Sequence, residues 1–107
     1  MPDQKKIQLL TKKSEMLKVI AHPMRLCILN CLMTTKDCNV TTLTKRMETP
    51  QSTISQHLSK LKSFNIIEGH RNGVEIQYNV IDEDVINLMH LLLKDLQNDV
   101  TEKTLNC

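Results

Sequence analysis

Aromatic side chains are nearly missing: one Phe, one Tyr and no Trp in 107 residues. The core must therefore come from Leu, Ile, Val and Met, which suits packed helices. Glycine is as scarce, with only Gly69 and Gly73, and this excludes a glycine-rich phosphate-binding loop. No apolar run reaches bilayer-spanning length, and the N-terminal residues are polar without a signal-peptide core, so the chain reads as soluble and cytoplasmic. There is no internal repeat, low-complexity tract or Gly/Ser linker, hence one domain over 1–107 with a modest core that a dimer would enlarge. No cysteine has a His and an Asp or Asn partner in a recognisable arrangement, so no enzyme is expected. A charge excess is also lacking, with Lys+Arg 14 against Asp+Glu 12. Its distribution is uneven. Asp82, Glu83, Asp84, Asp95, Asp99 and Glu102 crowd the C-terminal part, while Lys45, Arg46, Lys60, Lys62 and Arg71 flank the segment described next, which favours a basic nucleic-acid face and an acidic opposite side.

That segment runs from Thr49 to Ile67. Thr49 reads as a helix N-cap, with Pro50 at the first helical position. Ile54, Leu58 and Leu61 make one apolar stripe. The remaining face, Gln51, Ser52, Thr53, Ser55, Gln56, His57, Ser59 and Lys60, has no carboxylate, whereas a solvated helix face ordinarily mixes acidic with basic residues. Amides and hydroxyls suit base edges in the major groove, and Lys suits phosphate. A buried, hydrogen-bonded role is the alternative for His57, and a solvated turn position for Arg71.

Upstream, apolar spacing predicts a first helix over 4–20, ended by Ala21-His22-Pro23, and a second from Met24 to about Met33. On that helix Leu26, Ile28, Leu29, Leu32 and Met33 share one arc. Cys27 and Cys31 fall together on the other flank, neighbours four residues apart, either as small semi-buried side chains or as sensing thiols, with Arg25 near enough to favour a thiolate. Asn39 or Thr41 caps a short helix from Thr41 to Met47, so 41–67 forms a helix-turn-helix. Val74, Ile76, Tyr78 and Val80 alternate with polar residues, and Asn72-Gly73 signals a hairpin. The segment 68–80 is then a wing, with Arg71 and Asn72 at its tip. Asp82-Glu83-Asp84 opens a last helix over 82–99, whose stripe of Val85, Leu88, Met89, Leu92, Leu93 and Leu96 is wider than its own core needs and predicts contact with a second copy. Residues 100–107 read as a loose tail. His22 and His90 read as surface or dimer-contact residues.

The order helix, helix, helix-turn-helix, wing, helix resembles the ArsR/SmtB family of winged-helix repressors. Three stretches over roughly residues 14–98 carry the likeness: Ala21-His22-Pro23-Met24-Arg25-Leu26-Cys27-Ile28-Leu29, Gln51 to Leu61, and the wing ending in Tyr78. The resemblance implies a mainly α fold of about five helices with a two-stranded wing. It implies a homodimer through the first and last helices, binding double-stranded operator DNA until an inducer arrives. It places DNA contacts on Gln51, Ser52, Thr53, Ser55, Gln56, His57, Lys60 and Arg71. Inducer positions depart from the family. The thiol-rich metal segment is matched by Asp37-Cys38-Asn39-Val40-Thr41-Thr42-Leu43, with Cys38 displaced by one. The zinc-type positions read Asp82, Asp84, Asp95 and Asn98, without imidazole. The persulfide-type pair would fall at Asn30, next to Cys31, and near Gln97.

The sequence therefore predicts a DNA-binding repressor. Its expected inducer chemistry is thiol modification, by redox or sulfide, or a soft metal ion, through Cys27, Cys31 and Cys107; no cofactor and no particular metal is assigned. The alternative is a winged-helix module for protein partners, or a constitutive regulator without an inducer.

Overall fold

In the computed structural model, which describes residues 3–97, α1 (Gln4–Ile20) is capped by Asp3, whose carboxylate accepts the Lys6 N–H at 2.8 Å. A near-perpendicular bend leads into α2 (Pro23–Thr34), where the His22 Nδ1 accepts the Met24 N–H at 3.1 Å and Pro23 fills the first position, needing no N–H partner. Asn39 caps α3 (Val40–Met47), accepting the Thr42 N–H at 2.8 Å. The recognition-type helix follows as α4 (Gln51–Ser63), then β1 (Ile67–Asn72), β2 (Glu75–Val80), α5 (Glu83–Leu92) and a short α6 (Lys94–Gln97). Asp82 caps α5 through the Val85 N–H at 3.1 Å. Asp84 at its start pairs with Lys13 of α1 across the surface.

Helix α2 is the hub. It touches α1, α3, α4, α5 and β2, and its Ile28, Leu29, Cys31 and Leu32 are buried. Around them close Val19 and Ile20 of α1, Leu43 of α3, Ile54, Leu58 and Leu61 of α4, Ile66, Ile67, and Val85 and Met89 of α5. Because partners surround α2 on several sides, its buried set is wider than the single arc expected from the helical wheel. Cys31, read as semi-buried, is 0% exposed.

The hairpin is antiparallel, with Ile67 opposite Val80 and Asn72 opposite Glu75. This register makes Gly73-Val74 the two-residue turn, one position later than Asn72-Gly73. Gly73 takes a positive φ of 68°, and Val74, read as a strand residue, stands 95% exposed at the tip. Gly69 faces Tyr78 across the ladder, and a Cβ there would lie 2.8 Å from Ile76 Cγ2 and 3.1 Å from Tyr78 Cε1. The Tyr78 N–H donates to the Cys38 carbonyl at 3.0 Å, and Asn39 Nδ2 donates to Glu75 at 2.8 Å, so two bonds fasten the wing to the start of α3.

The last helix is not continuous over 82–99. It stops at Leu92, where Leu93 (φ −106°, ψ 12°) gives its N–H to the Met89 carbonyl, and α6 restarts at Lys94. Residues 98–107, including the expected loose tail, lie outside the described residues. Among those described, no single helix is long and apolar enough to cross a membrane.

Glu48 makes the turn between α3 and α4 in the left-handed region (φ 49°, ψ 46°), a conformation that costs a non-glycine residue roughly 1–2 kcal/mol. Glu48→Gly is therefore expected to stabilise the fold by about 1 kcal/mol, whereas Ile54→Ala, which empties a fully buried site, should cost about 2–5 kcal/mol. Urea unfolding midpoints check both.

Candidate nucleic-acid interface

The buried stripe of Ile54, Leu58 and Leu61 holds α4 by one side, and the helical repeat then fixes what faces outward. Gln51, Ser52, Gln56, Ser59 and Lys60 are exposed; Thr53 and Ser55 are half-buried at the edges of the stripe. Helix α4 begins one residue later than the sequence suggests. Pro50, extended at φ −57° and ψ 146°, is the N-cap, and no side chain caps the helix. Thr49 is not the cap because its hydroxyl donates back to the Met47 carbonyl at 2.9 Å, closing α3 instead. The uncapped end leaves the leading N–H groups of α4 without a side-chain acceptor. Lys60 reaches along the helix, its Nζ 5.2 Å from the Phe64 ring centroid, a cation–π contact that orders its stem.

His57 is half-buried and faces α2 rather than open solvent. Arg25 Nε donates to its Nδ1 at 3.2 Å, and the same guanidinium donates to the Val19 carbonyl at 2.9 Å. The His22 ring packs at 4.9 Å from that of His57, tilted by 58°. With Nδ1 accepting, the ring proton sits on Nε2. Burial, then the charges of Arg25 and His22, hold the His57 pKa below its usual value. Arg25 is thus engaged with His57 of α4, and the cation that acts on Cys31 and Cys38 is Arg46.

Arg71 is exposed at the outer end of β1, opposite Ile76, and not on the α4 face. The cysteines divide differently from the sequence reading. Cys27 is half-buried on α2, and Cys107 lies outside the described residues. Cys31 instead meets Cys38, in the loop before α3, and both are free thiols, 0% and 1% exposed. The hydrogen bond from Cys38 is the largest influence on Cys31 and draws its pKa down to about 6; burial opposes this, and the Thr35 hydroxyl, 3.9 Å from Sγ, and Arg46 add to it. The same contact and burial push the Cys38 thiol up.

Sequence reasoning missed three of these residues: Arg25 as the brace of His57, Cys38 as the partner of Cys31, and Arg46 as the nearby cation. The one available signal was Cys38 standing directly before the Asn39 cap, seven positions from Cys31.

An outward polar helix after a tight turn, with a hairpin beside it, is the geometry of a winged helix-turn-helix. The family model of bacterial regulatory proteins of the arsR family matches residues 22–68, from the cap of α2 into β1. The transcriptional repressor PagR of Bacillus anthracis is 42% identical over 79 residues, 74% of this chain and 79% of that one. The chain belongs to the arsR family. Its members are DNA-binding transcription regulators.

This arsR-family chain superposes on the crystal structure of PagR with a TM-score of 0.73 at 40% identity, covering 80% of this chain and 98% of that one. It is also 33% identical over 86 residues to the repressor SmtB of Mycobacterium tuberculosis, 80% of this chain and 61% of that protein. A homodimeric winged helix-turn-helix DNA-binding domain from Mycobacterium bovis gives a TM-score of 0.76 at 26% identity, covering 94% and 95%. At the zinc-type positions of the family this chain carries Asp82, Asp84, Asp95 and Asn98, with no imidazole among them. Asp82 is spent on the α5 cap and Asp84 on Lys13, Asn98 lies outside the described residues, and among those described no three His, Cys, Asp or Glu side chains converge on one point.

The depressed His57 pKa fixes a pH dependence. Folding favours neutral imidazole, so the unfolded chain binds more protons once the pH falls below its own value of about 6.5. Stability is therefore full above that pH and declines as the pH drops through the lower folded value. His57→Gln should remove this decline, read from urea midpoints between about pH 7.5 and 5; an unchanged slope would contradict the Arg25–His57 account.

Proposed function

We propose that this arsR-family chain is a sequence-specific transcriptional repressor, cytoplasmic and homodimeric, that leaves its operator when an inducer reaches it. The observation that carries the reading is the α4 face: amides and hydroxyls without a single carboxylate, held outward by three buried apolar side chains. In the proposed complex Gln51, Ser52, Thr53, Ser55 and Gln56 meet base edges, Lys60 meets phosphate, and the uncapped N–H groups of α4 meet a further phosphate. His57, with Nδ1 taken by Arg25, offers its Nε2–H alone, and Arg71 on the wing reaches the backbone or minor groove. That PagR and SmtB bear the name of repressor supports the direction of regulation.

The dimer is read from unsatisfied apolar surface. Ile7, Leu9, Leu10 and Leu17 of α1 and Leu91 and Leu92 of α5 are all exposed, and pairing these first and last helices removes them from water. Two copies of α4 then enter successive major grooves, about 34–36 Å apart, of an imperfect palindrome. The inducer is read as chemistry at thiols, by modification or by a soft metal ion.

Gln56→Ala and Lys60→Ala separate base reading from phosphate contact. Loss of a good base contact costs about 1–3 kcal/mol of discrimination. Gln56→Ala should therefore lower operator affinity by roughly tenfold with little change on scrambled duplex, and Lys60→Ala should weaken both alike. Fluorescence anisotropy at fixed salt measures this; equal loss on both duplexes for Gln56→Ala would remove the base-reading assignment.

A further inference from the structure

Deep in the fold, and apart from the DNA face, lies a two-thiol site. Cys31 on the last turn of α2 and Cys38 in the following loop are sealed from solvent against each other. Around them stand Thr35, one turn after Cys31, and Arg46 from the last turn of α3. Between the two cysteines the chain turns at Asp37, in the left-handed region at φ 57°.

We propose that Cys31 and Cys38 form an oxidant-sensing dithiol that a peroxide converts to a disulfide, and that this event is the inducing signal. The proposal rests on the repressor reading above and names the inducer chemistry for it. The two thiols are unequal, as such a step requires. The contact draws Cys31 toward its thiolate and holds the proton on Cys38. Burial selects the reagent: a site with no exposed sulfur excludes bulky disulfides and favours a small, uncharged oxidant the size of water.

The Cys31 thiolate attacks one peroxide oxygen, the O–O bond breaks, and hydroxide leaves with the bonding pair; Cys31 is then a sulfenic acid. The Cys38 sulfur attacks the Cys31 sulfur, the S–O bond breaks, and the departing oxygen takes the Cys38 proton and leaves as water. Peroxide gains two electrons and the dithiol loses two.

The readout lies in what Cys38 touches. Its carbonyl holds the Tyr78 N–H of the wing, and the adjoining Asn39 both caps α3 and holds Glu75. A disulfide demands its own sulfur geometry and Cα separation, so closing it moves the joint that sets wing against helix-turn-helix. It also removes the thiolate charge beside Arg46.

The test treats the full-length reduced protein with graded hydrogen peroxide, blocks remaining thiols under denaturing conditions, and maps tryptic peptides. Residues 26–36 and 37–45 should appear as one linked species, with fragmentation placing the bond on Cys31 rather than Cys27. Cys38→Ser keeps a hydroxyl hydrogen bond to Cys31 but cannot resolve the intermediate, so a sulfenic acid trappable by dimedone should accumulate there. Operator binding measured on the same samples should fall as the linked species rises. Unlinked, fully alkylatable Cys31 and Cys38 at peroxide doses that oxidise other cysteines would overturn the proposal, as would a bond from Cys31 to any cysteine but Cys38. A linked species with undiminished operator binding would overturn the inducing role. Failure of the reduced protein to bind DNA at all would instead strike the repressor reading, leaving the peptide map to judge the dithiol. Because the map is made on wild-type protein, a misfolded variant leaves it decisive.

Discussion

Burial of Ile54, Leu58 and Leu61 in the core that α4 shares with α1, α2 and α3 is the constraint on which the interface depends. Each of those side chains contributes about 1.5–3 kcal/mol by leaving water, and together they fix the rotation of α4 about its axis. Once that rotation is set, the polar residues have no choice of direction. Gln51, Ser52, Gln56 and Lys60 stand outward because the positions between them are committed to the core. Arg25 adds a second restraint from α2, tying His57 on the flank of the same helix to the end of α1 through the Val19 carbonyl. The recognition face is thus presented by packing and by the Arg25–His57 hydrogen bond, so His57 belongs both to the face proposed to meet DNA and to the contacts that hold α4 in place.

The same hub also connects the DNA face to the thiols. Cys31 is part of the buried surface of α2, and Cys38 belongs to the loop that starts α3 and receives the wing. In the proposed switch, a change at either sulfur would reach two elements at once, through the Cys38 carbonyl–Tyr78 bond and the Asn39 cap. In that proposal the route from the core to the candidate DNA face is short. It needs no movement of α4 within its own apolar seat.

The legible part of the fold was the part written in local periodicity. The stripe at Ile54, Leu58 and Leu61, the Asn39 cap and the alternation of Ile76, Tyr78 and Val80 each follow from neighbours in sequence, and the structure contains each of them. The absence of carboxylates from the candidate nucleic-acid face of α4 is likewise read from the local sequence. What was not legible depends on choices made between near-equal local options or across the chain. Thr49 had two acceptable uses for its hydroxyl, and the one closing α3 won. The hairpin turn slipped to Gly73-Val74 because the pairing of Asn72 with Glu75 decides which residues are left over. No proline or glycine marks the break at Leu93. The pairings of Arg25 with His57, thirty-two positions apart, and of Cys31 with Cys38 across the turn at Asp37, leave no periodic trace. A helical wheel places Cys31 beside Cys27 on α2 and carries no trace of the loop residue Cys38 that also meets it.

The most direct measurement is the affinity of the reduced wild-type protein for DNA from upstream of its own gene against a scrambled duplex of equal length, by fluorescence anisotropy at one fixed salt concentration, since affinity for DNA falls steeply with added salt. A base-reading α4 predicts a preference for the natural site of about 10³-fold or more. Equal affinity for both duplexes would mean that the carboxylate-free face binds phosphate alone, and would contradict the account.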